Sequence, residues 1–370
     1  MSRLTKTIAL LPGDGIGPEV VAAAASVLGD CAGEFGHRFG LVELPIGGEA
    51  IEHGGTPLPA ETLNACRAAD AILLGAVGGP RWDGLPLGQR PESGLLSLRK
   101  QLDLYINLRP IHLREPLRAV SPLEPRRRKI DFEIVRELAG GIYFGARGTE
   151  SENGTERAFD VEAYTVPEVE RVGRFAFRRA AARRKRLASV DKANVLATSA
   201  LWRKTIDRLA ADWPEVSLSH LYVDNAAMQL VLAPEQFDVI VTSNMFGDIL
   251  SDAAAGLVGS IGLIPSMSCG GGPPLFEPIH GSAPSLAGQD RACPIGAILC
   301  ASMMLREAFG LDTEARRVEA ALDRVLTRGY RTADIAEPGA TVVGCSEFTG
   351  LVREELQQGV KQLEPYGWGV

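Results

Sequence analysis

The sequence predicts an α/β protein with a central sheet shared between two lobes, and three observations carry that expectation. At 370 residues the chain is long enough to bury a large core and to form two domains or lobes. Near its start, an apolar run over residues 7–11 meets Pro12-Gly13-Asp14-Gly15-Ile16-Gly17-Pro18, after which Glu19 opens an alanine-rich helix: strand, glycine turn, helix, the first unit of such a fold. Further on, Val239-Ile240-Val241 is β-branched and continuous, the pattern of a strand covered on both faces. The first turn is not a dinucleotide fingerprint. Its spacing is GxGxG, Pro18 stands where a helix-opening residue belongs, and no acidic residue ends a second strand about 20 positions on, as that motif requires. A Rossmann domain is therefore excluded.

A second strand, residues 71–74, runs into Gly75-Ala76-Val77-Gly78-Gly79-Pro80-Arg81-Trp82-Asp83-Gly84, whose glycines suit close approach of backbone to a ligand or a flexible surface loop. Strands are expected at 130–135, 187–190 and 216–221. Between them residues 167–186 read as a helix with Pro167 in its first turn. Its arginine-rich end, and the run Arg126-Arg127-Arg128-Lys129, are expected to be solvated faces. From Gly259 to Gly288 the chain reads as loop, with helices following at 295–309 and 315–326.

Composition narrows the function. Apolar residues make up 45% and charged residues 23%, ordinary for a soluble protein, and a formal charge of -7 lacks the basic footprint of a nucleic-acid binder. No uncharged apolar run is long enough to span a membrane, and the N-terminus has no signal-peptide pattern. Cys31, Cys66, Cys269, Cys293, Cys300 and Cys345 show neither paired nor zinc-like spacing, so reduced thiols in a cytoplasmic protein are expected.

Chemistry is concentrated in a few polar positions. After the 239–241 strand, Asn244 and Gly247 break the pattern before a helix that carries Asp248 and Asp252 four residues apart on one face. Two adjacent carboxylates repel, so a cation belongs between them: Mg²⁺ or Mn²⁺ on oxygen ligands, or else both acids simply charge the first turn of a helix. Asp224 in YVDNAAM would add a third carboxylate. Arg99, Arg109 and Arg136, were they to converge, would hold a dicarboxylate through their planar guanidinium forks. Tyr143 lies between glycines in GGIYFG, and Lys192 follows a strand; a lysine set among cations gives up its proton readily, which suits a base.

Taken in order, GDGIGPEV, GGPRWDG, GLLSLRK, NLRP, VRELAGGIYFG, SVDKANVL, YVDNAAMQL, FGDILSD and HGSAP closely resemble the β-decarboxylating dehydrogenases of the isocitrate/isopropylmalate dehydrogenase family, over nearly the whole chain. The resemblance implies that family's non-Rossmann fold of two α/β domains, one from residues 1–104 with 259–370 and a central one from 105–258 for substrate and dimerisation. It implies a homodimer with shared sites and NAD⁺-dependent oxidative decarboxylation of (2R,3S)-3-isopropylmalate to 2-oxoisocaproate, in leucine synthesis. It implies that Arg99, Arg109 and Arg136 bind the malate carboxylates and that Asp224, Asp248 and Asp252 hold Mg²⁺ or Mn²⁺, with Tyr143, Lys192 and Asp224 catalytic. Lys192 and Asp224 would come from the other subunit. Leu95, Leu96 and the partner's copy of position 195, a valine, would receive the isopropyl group. Gly79, Glu92, Asn244, Glu277, His280, Gly281, Ser282, Ala283, Pro284, Ser285 and Cys293 would contact NAD⁺. D-malate and tartrate dehydrogenases share most of these motifs and, with other 3-alkylmalate dehydrogenases of the family, are the nearest alternative; a non-catalytic binding protein that kept the fold is a remote one. The chain departs from the family at the adenosine end: NAD-using members usually have HGSAPDIAG followed by ANP, where this chain has HGSAPSLAG with Ser285 and then Ala292-Cys293-Pro294.

Overall fold

The structure is a computed structural model and describes residues 3–123 and 129–361, so Arg126–Arg128 of the basic run lie outside the described residues. One mixed sheet of ten strands organises the chain. In chain order the strands are β1 (Thr5–Gly13), β2 (Arg38–Glu43), β3 (Ala71–Ala76), β4 (Leu104–His112), β5 (Asp131–Glu137), a separate hairpin β6 (Arg147–Glu152) and β7 (Thr155–Asp160), then β8 (Arg186–Asp191), β9 (Ser217–Tyr222), β10 (Val239–Thr242), β11 (Pro265–Gly270) and β12 (Leu275–Pro278), with a two-residue pair, β13 (Tyr330–Arg331) and β14 (Thr341–Val342), apart from the main sheet. Across the sheet they run β2-β1-β3-β12-β11-β4-β5-β10-β8-β9. The two flanks are parallel, and the centre, β12-β11-β4-β5, is antiparallel.

Burial follows from this order. Every residue of β3 and of β10 is buried, because helices cover both faces of a parallel flank. Alternate residues serve two cores: Ile8, Leu10, Ala71 and Leu73 face one side, Ala9, Leu11, Ile72 and Leu74 the other. On the first side pack α1 (Gly17–Phe35), the helices that follow β12 and part of the middle of the chain; the second holds α2 (Gly47–Gly54), α3 (Ala60–Ala68) and α4 (Pro91–Gln101).

The middle of the chain adds α5 (Val166–Ala182), α6 (Ala197–Ala210), α7 (Val223–Leu232) and α8 (Asn244–Val258). Helix α5 starts at a capping box, with Glu168 accepting from the Thr165 backbone at 2.7 Å, and stops four residues before the expected end. Lys185 at φ 61 turns the chain, and Arg186 opens β8. The arginines around this turn are solvated in part, Arg184 and Arg186 being exposed, but they are also ion-paired: Arg183 and Arg184 pair with Asp131 and with the buried Asp238, which also accepts from the Arg184 and Arg186 backbone.

Two further expectations are corrected. Helix α8 begins at Asn244, so Asn244 and Gly247 lie inside it and Ser243 is the N-cap. The stretch read as loop between Gly259 and Gly288 contains β11 and β12, which sit mid-sheet; short length and flanking prolines and glycines concealed them. The described residues end on α9 (Ile295–Glu307), α10 (Asp312–Thr327) and α11 (Cys345–Lys361).

Candidate active site

The site is built on the antiparallel centre. Pairing of β4 with β5 sets Asn107 directly opposite Arg136, and Arg109 falls two residues along on the same face. Helix α8 lies over that face at close range. A Cβ on Gly247 would stand 2.7 Å from Cβ of Arg136, so only glycine admits the contact. This brings Asp248 down onto the arginines.

Arg136 Nη1 donates to Asp248 Oδ1 at 2.5 Å, and Arg109 Nη2 to the same oxygen at 3.2 Å. Arg109 also reaches Asp252 Oδ1 at 3.4 Å, Ser251 Oγ at 2.6 Å and Asn107 Oδ1 at 2.7 Å. The cation required between the two aspartates is thus, in this structure, a guanidinium. Tyr143 enters from the loop after β5 and donates its hydroxyl to Asp248 Oδ2 at 3.1 Å.

The electrostatics divide the two acids. Burial raises the proton affinity of Asp248, but Arg136, Arg109 and the Tyr143 hydroxyl more than offset it and hold the carboxyl below its usual range. At Asp252 burial wins, with Asp248 adding to it against Arg109, so its pKa is raised. Burial followed by the charge of Asp248 raises the Tyr143 phenol as well, keeping a proton on it.

Arg99, on α4, forms a buried ion pair with Glu277 of β12, and its Nε finds no partner among the described residues. A cavity of about 220 Å³ opens beside this pair, lined by Glu92, Leu95, Arg99, Arg109, Ser266 and Glu277 among others. Leu96 is half-buried and does not line it. The expected cofactor residues frame the same opening. Gly78 and Gly79 take φ of 102 and 157, and a Cβ on Gly78 would lie 2.3 Å from Glu92 Oε1. His280 and Gly281 line the cavity, while Ser282 and Cys293 are buried and Pro284 and Ser285 exposed beyond it. Ala283 at φ 38 marks the turn between them.

Three expected residues are not brought here. Lys192 Nζ donates to Asp224 Oδ1 at 2.7 Å at the β8/β9 end of the sheet, and Val195 nearby in sequence is 70% exposed. Among the described residues, the one trio of potential metal ligands clustered within 4.8 Å is Glu19, Asp290 and Cys345, not the three aspartates. Asn244, expected on the cofactor, is engaged elsewhere: its Oδ1 accepts from Arg136 at 3.0 and 2.8 Å and its Nδ2 donates to Gly140 O at 3.0 Å.

A family model described as isocitrate/isopropylmalate dehydrogenase matches residues 7–352. The chain belongs to the isocitrate/isopropylmalate dehydrogenase family. Within it, the 3-isopropylmalate dehydrogenase of Nitratidesulfovibrio vulgaris is 55% identical over 353 residues, 94% of this chain and 99% of that one. The 3-isopropylmalate dehydrogenase of Geobacillus kaustophilus is 54% identical over 349 residues, 94% of each. Among solved structures of the family, isocitrate dehydrogenase from Methylococcus capsulatus superimposes with a TM-score of 0.86 at 35% identity, covering 95% of this chain and all of that one. The family's α/β fold around a mixed central sheet is the one described above.

The hydrogen bonds bring in three residues that no motif singled out. Asn107 and Ser251 orient Arg109, and Tyr164, whose hydroxyl accepts from the Asn244 backbone at 2.9 Å, seats the residue that holds Arg136. Position alone could have flagged Asn107, two residues before Arg109 on a strand. Tyr164 carries no such signal.

Proposed function

We propose that the chain is a 3-isopropylmalate dehydrogenase: it oxidises (2R,3S)-3-isopropylmalate at C2 with NAD⁺ and releases the β-carboxylate as CO₂, leaving 2-oxoisocaproate for leucine synthesis. The observation that carries the reading is the cavity in which Leu95 stands beside Arg99 and Arg109, since it offers carboxylate recognition and an apolar surface for a branched alkyl group together. The dehydrogenases of N. vulgaris and G. kaustophilus support it by identity over nearly their whole length.

Hard oxygen donors with two carboxylates one helical turn apart fit Mg²⁺ or Mn²⁺, with Asp224, Asp248 and Asp252 as ligands. When bound, the metal would polarise the C2 oxygen and NAD⁺ would accept the hydride from C2. The protein's own groups do the rest. Arg99, Arg109 and Arg136 hold and orient the two carboxylates; Lys192 takes the proton of the C2 hydroxyl; Tyr143, kept protonated, delivers a proton to C3 of the enolate that remains after CO₂ leaves. The lobes formed by residues 1–104 with 259–370 and by 105–258 would close over substrate, shutting water out of the cavity.

A homodimer with shared sites accounts for the stranded residues. On α7, Asp224, Ala227, Met228 and Val231 form one exposed stripe; on α8, Ile249, Asp252, Ala253 and Gly256 form another. Both have helical spacing, both are mostly apolar or small, and each carries one proposed metal ligand. A second copy packed against them would bring its Asp224 and Lys192 to this chain's Asp248 and Tyr143, and its valine at position 195 to Leu95. The hairpin β6–β7, exposed along most of its length, is a second surface for that partner. No helix of the described residues is long and apolar enough to cross a membrane, and the six free thiols fit a cytoplasmic enzyme.

Steady-state assays of 3-isopropylmalate, D-malate, tartrate and isocitrate with NAD⁺ and NADP⁺ test the proposal. The expected result is a kcat/KM highest for 3-isopropylmalate with NAD⁺; preference for D-malate or isocitrate defeats it. Coenzyme choice carries its own prediction at Ser285, whose exposed position beyond His280 leaves room for an acid. Ser285→Asp should lower KM for NAD⁺ by roughly fivefold, the scale of one added hydrogen bond of about 1 kcal/mol, and raise the NAD⁺ over NADP⁺ preference with kcat nearly unchanged. A rise in KM for both coenzymes would show that the added carboxylate goes unpartnered.

A further inference from the structure

The side chain of Asp14 lies at the bottom of the first glycine turn, is 5% exposed, and touches no part of the arginine and aspartate cluster. It accepts three backbone N–H groups: Gly48 at 2.8 Å and Gly78 at 2.7 Å on Oδ2, and Glu49 at 2.9 Å on Oδ1. Gly48 and Glu49 open α2, where a carboxylate answers the unpaired N–H groups of the first turn. Gly78 belongs to the loop after β3, where its positive φ sets it against Glu92. One buried side chain therefore ties that loop to two elements, β1 and α2.

The same turn also grips the opposite wall. Ile16 donates its backbone N–H to Ser282 O at 2.8 Å, and a Cβ on Gly15 would lie 1.9 Å from that oxygen. A Cβ on Gly47 would lie 2.6 Å from Asp14 Oδ2, so the fit is tight on both sides of the carboxylate. The turn thus sets the spacing between the Gly78–Gly79 loop and the His280–Ser285 loop, which flank the cavity.

We propose that Asp14 is a positioning residue for the dinucleotide, fixing the Gly78–Gly79 loop at the distance from the His280–Ser285 loop that NAD⁺ requires. The inference rests on the cofactor reading given above. Asparagine is the informative replacement, because it keeps the shape but offers one acceptor oxygen to three converging N–H groups and turns an NH₂ donor toward the others. Loss of one or two such bonds frees the loop without touching the groups that bind substrate.

Calorimetric titration of NAD⁺ and steady-state kinetics on wild type and Asp14→Asn test this. The expected result is a Kd and KM for NAD⁺ raised roughly tenfold or more, with KM for 3-isopropylmalate within about threefold of wild type. General destabilisation would instead lower kcat through a smaller active fraction and leave the NAD⁺ constants alone. An unchanged Kd for NAD⁺ in a folded Asp14→Asn protein overturns the inference. If wild type itself fails to bind or reduce NAD⁺, the cofactor reading falls, and this inference with it. Should Asp14→Asn not fold, Asp14→Ser, which retains one acceptor, and hydrogen exchange of the Gly78 amide in wild type decide the matter: slow exchange with weakened NAD⁺ binding in the serine variant supports the inference, and exchange at the rate of an open loop overturns it.

Discussion

Mixing two inactive variants, Lys192→Ala and Tyr143→Phe, is expected to restore about a quarter of wild-type activity once subunits have exchanged. The figure follows from symmetry: at equal amounts half of the dimers are mixed, and each mixed dimer has one site with both damaged groups and one with neither. Each variant alone is expected to lose at least roughly 10²-fold in kcat, the scale of a removed proton-transfer group. The structural ground is the separation of partners within one chain. Lys192 pairs with Asp224 at 2.7 Å, whereas Tyr143 donates to Asp248 at 3.1 Å. Native mass spectrometry of the mixture reports whether mixed dimers exist. Mixed dimers without activity would place Lys192 and Tyr143 in one chain's site, whereas an active Lys192→Ala homodimer would put Lys192 outside the reaction.

The second large effect separates the two helix-borne acids. Asp248→Asn and Asp252→Asn should each cut activity by more than roughly 10³-fold with Mg²⁺ or Mn²⁺ present, as EDTA should in the parent enzyme, because each removes a metal ligand. Their effects on folding should be opposite. Asp248 has a folded pKa below its unfolded value, so its ionised form stabilises the fold above about pH 4, and that contribution is lost as pH falls through the depressed value. Asparagine there leaves Arg109 and Arg136 facing each other, a cost of about 1 kcal/mol after allowing for the partial exposure of the carboxylate. Asp252 has a raised pKa, so its charge opposes folding at neutral pH, and asparagine should leave thermal stability unchanged or slightly higher. Differential scanning calorimetry with EDTA at pH 7 checks the sign of each; equal losses at both positions would contradict it.

These expectations show which parts of the site could be seen in the sequence. The carboxylate pair, the arginines and Tyr143 stand in recognisable motifs, and four-residue spacing is enough to place Asp248 and Asp252 on one helix face. What the spacing could not supply is the counter-charge. Arg109 is about 140 positions away along the chain and reaches both acids only because β4 lies beside β5 beneath α8. Asn244 shows the same limit, being a motif residue whose bond to Arg136 depends on tertiary packing.

The fold was legible in the same uneven way. Strands β3 and β10 are buried on both faces, so their sequences are continuous apolar runs. The antiparallel centre lacks that signature. Strand β4 includes Pro110, β11 begins at Pro265, and β12 is four residues ending in Pro278, so local propensity argues against the strands that tertiary pairing imposes.

That central pairing has a consequence for how the chain is made. Strands β3 and β4 are only 27 residues apart between Ala76 and Leu104, yet they are kept from touching by β12 and β11, which arrive after residue 264. On the ribosome, then, the first half of the sheet must wait with an unfilled gap until more than two thirds of the polypeptide has emerged. Unpaired edges exposed for that long invite wrong pairing with a neighbouring chain, and the non-local closure that ends the wait is slow. Truncated nascent chains ending before Pro265 should accordingly be held by chaperones or digested by protease, and protection should appear in one step once β11 and β12 have cleared the exit tunnel.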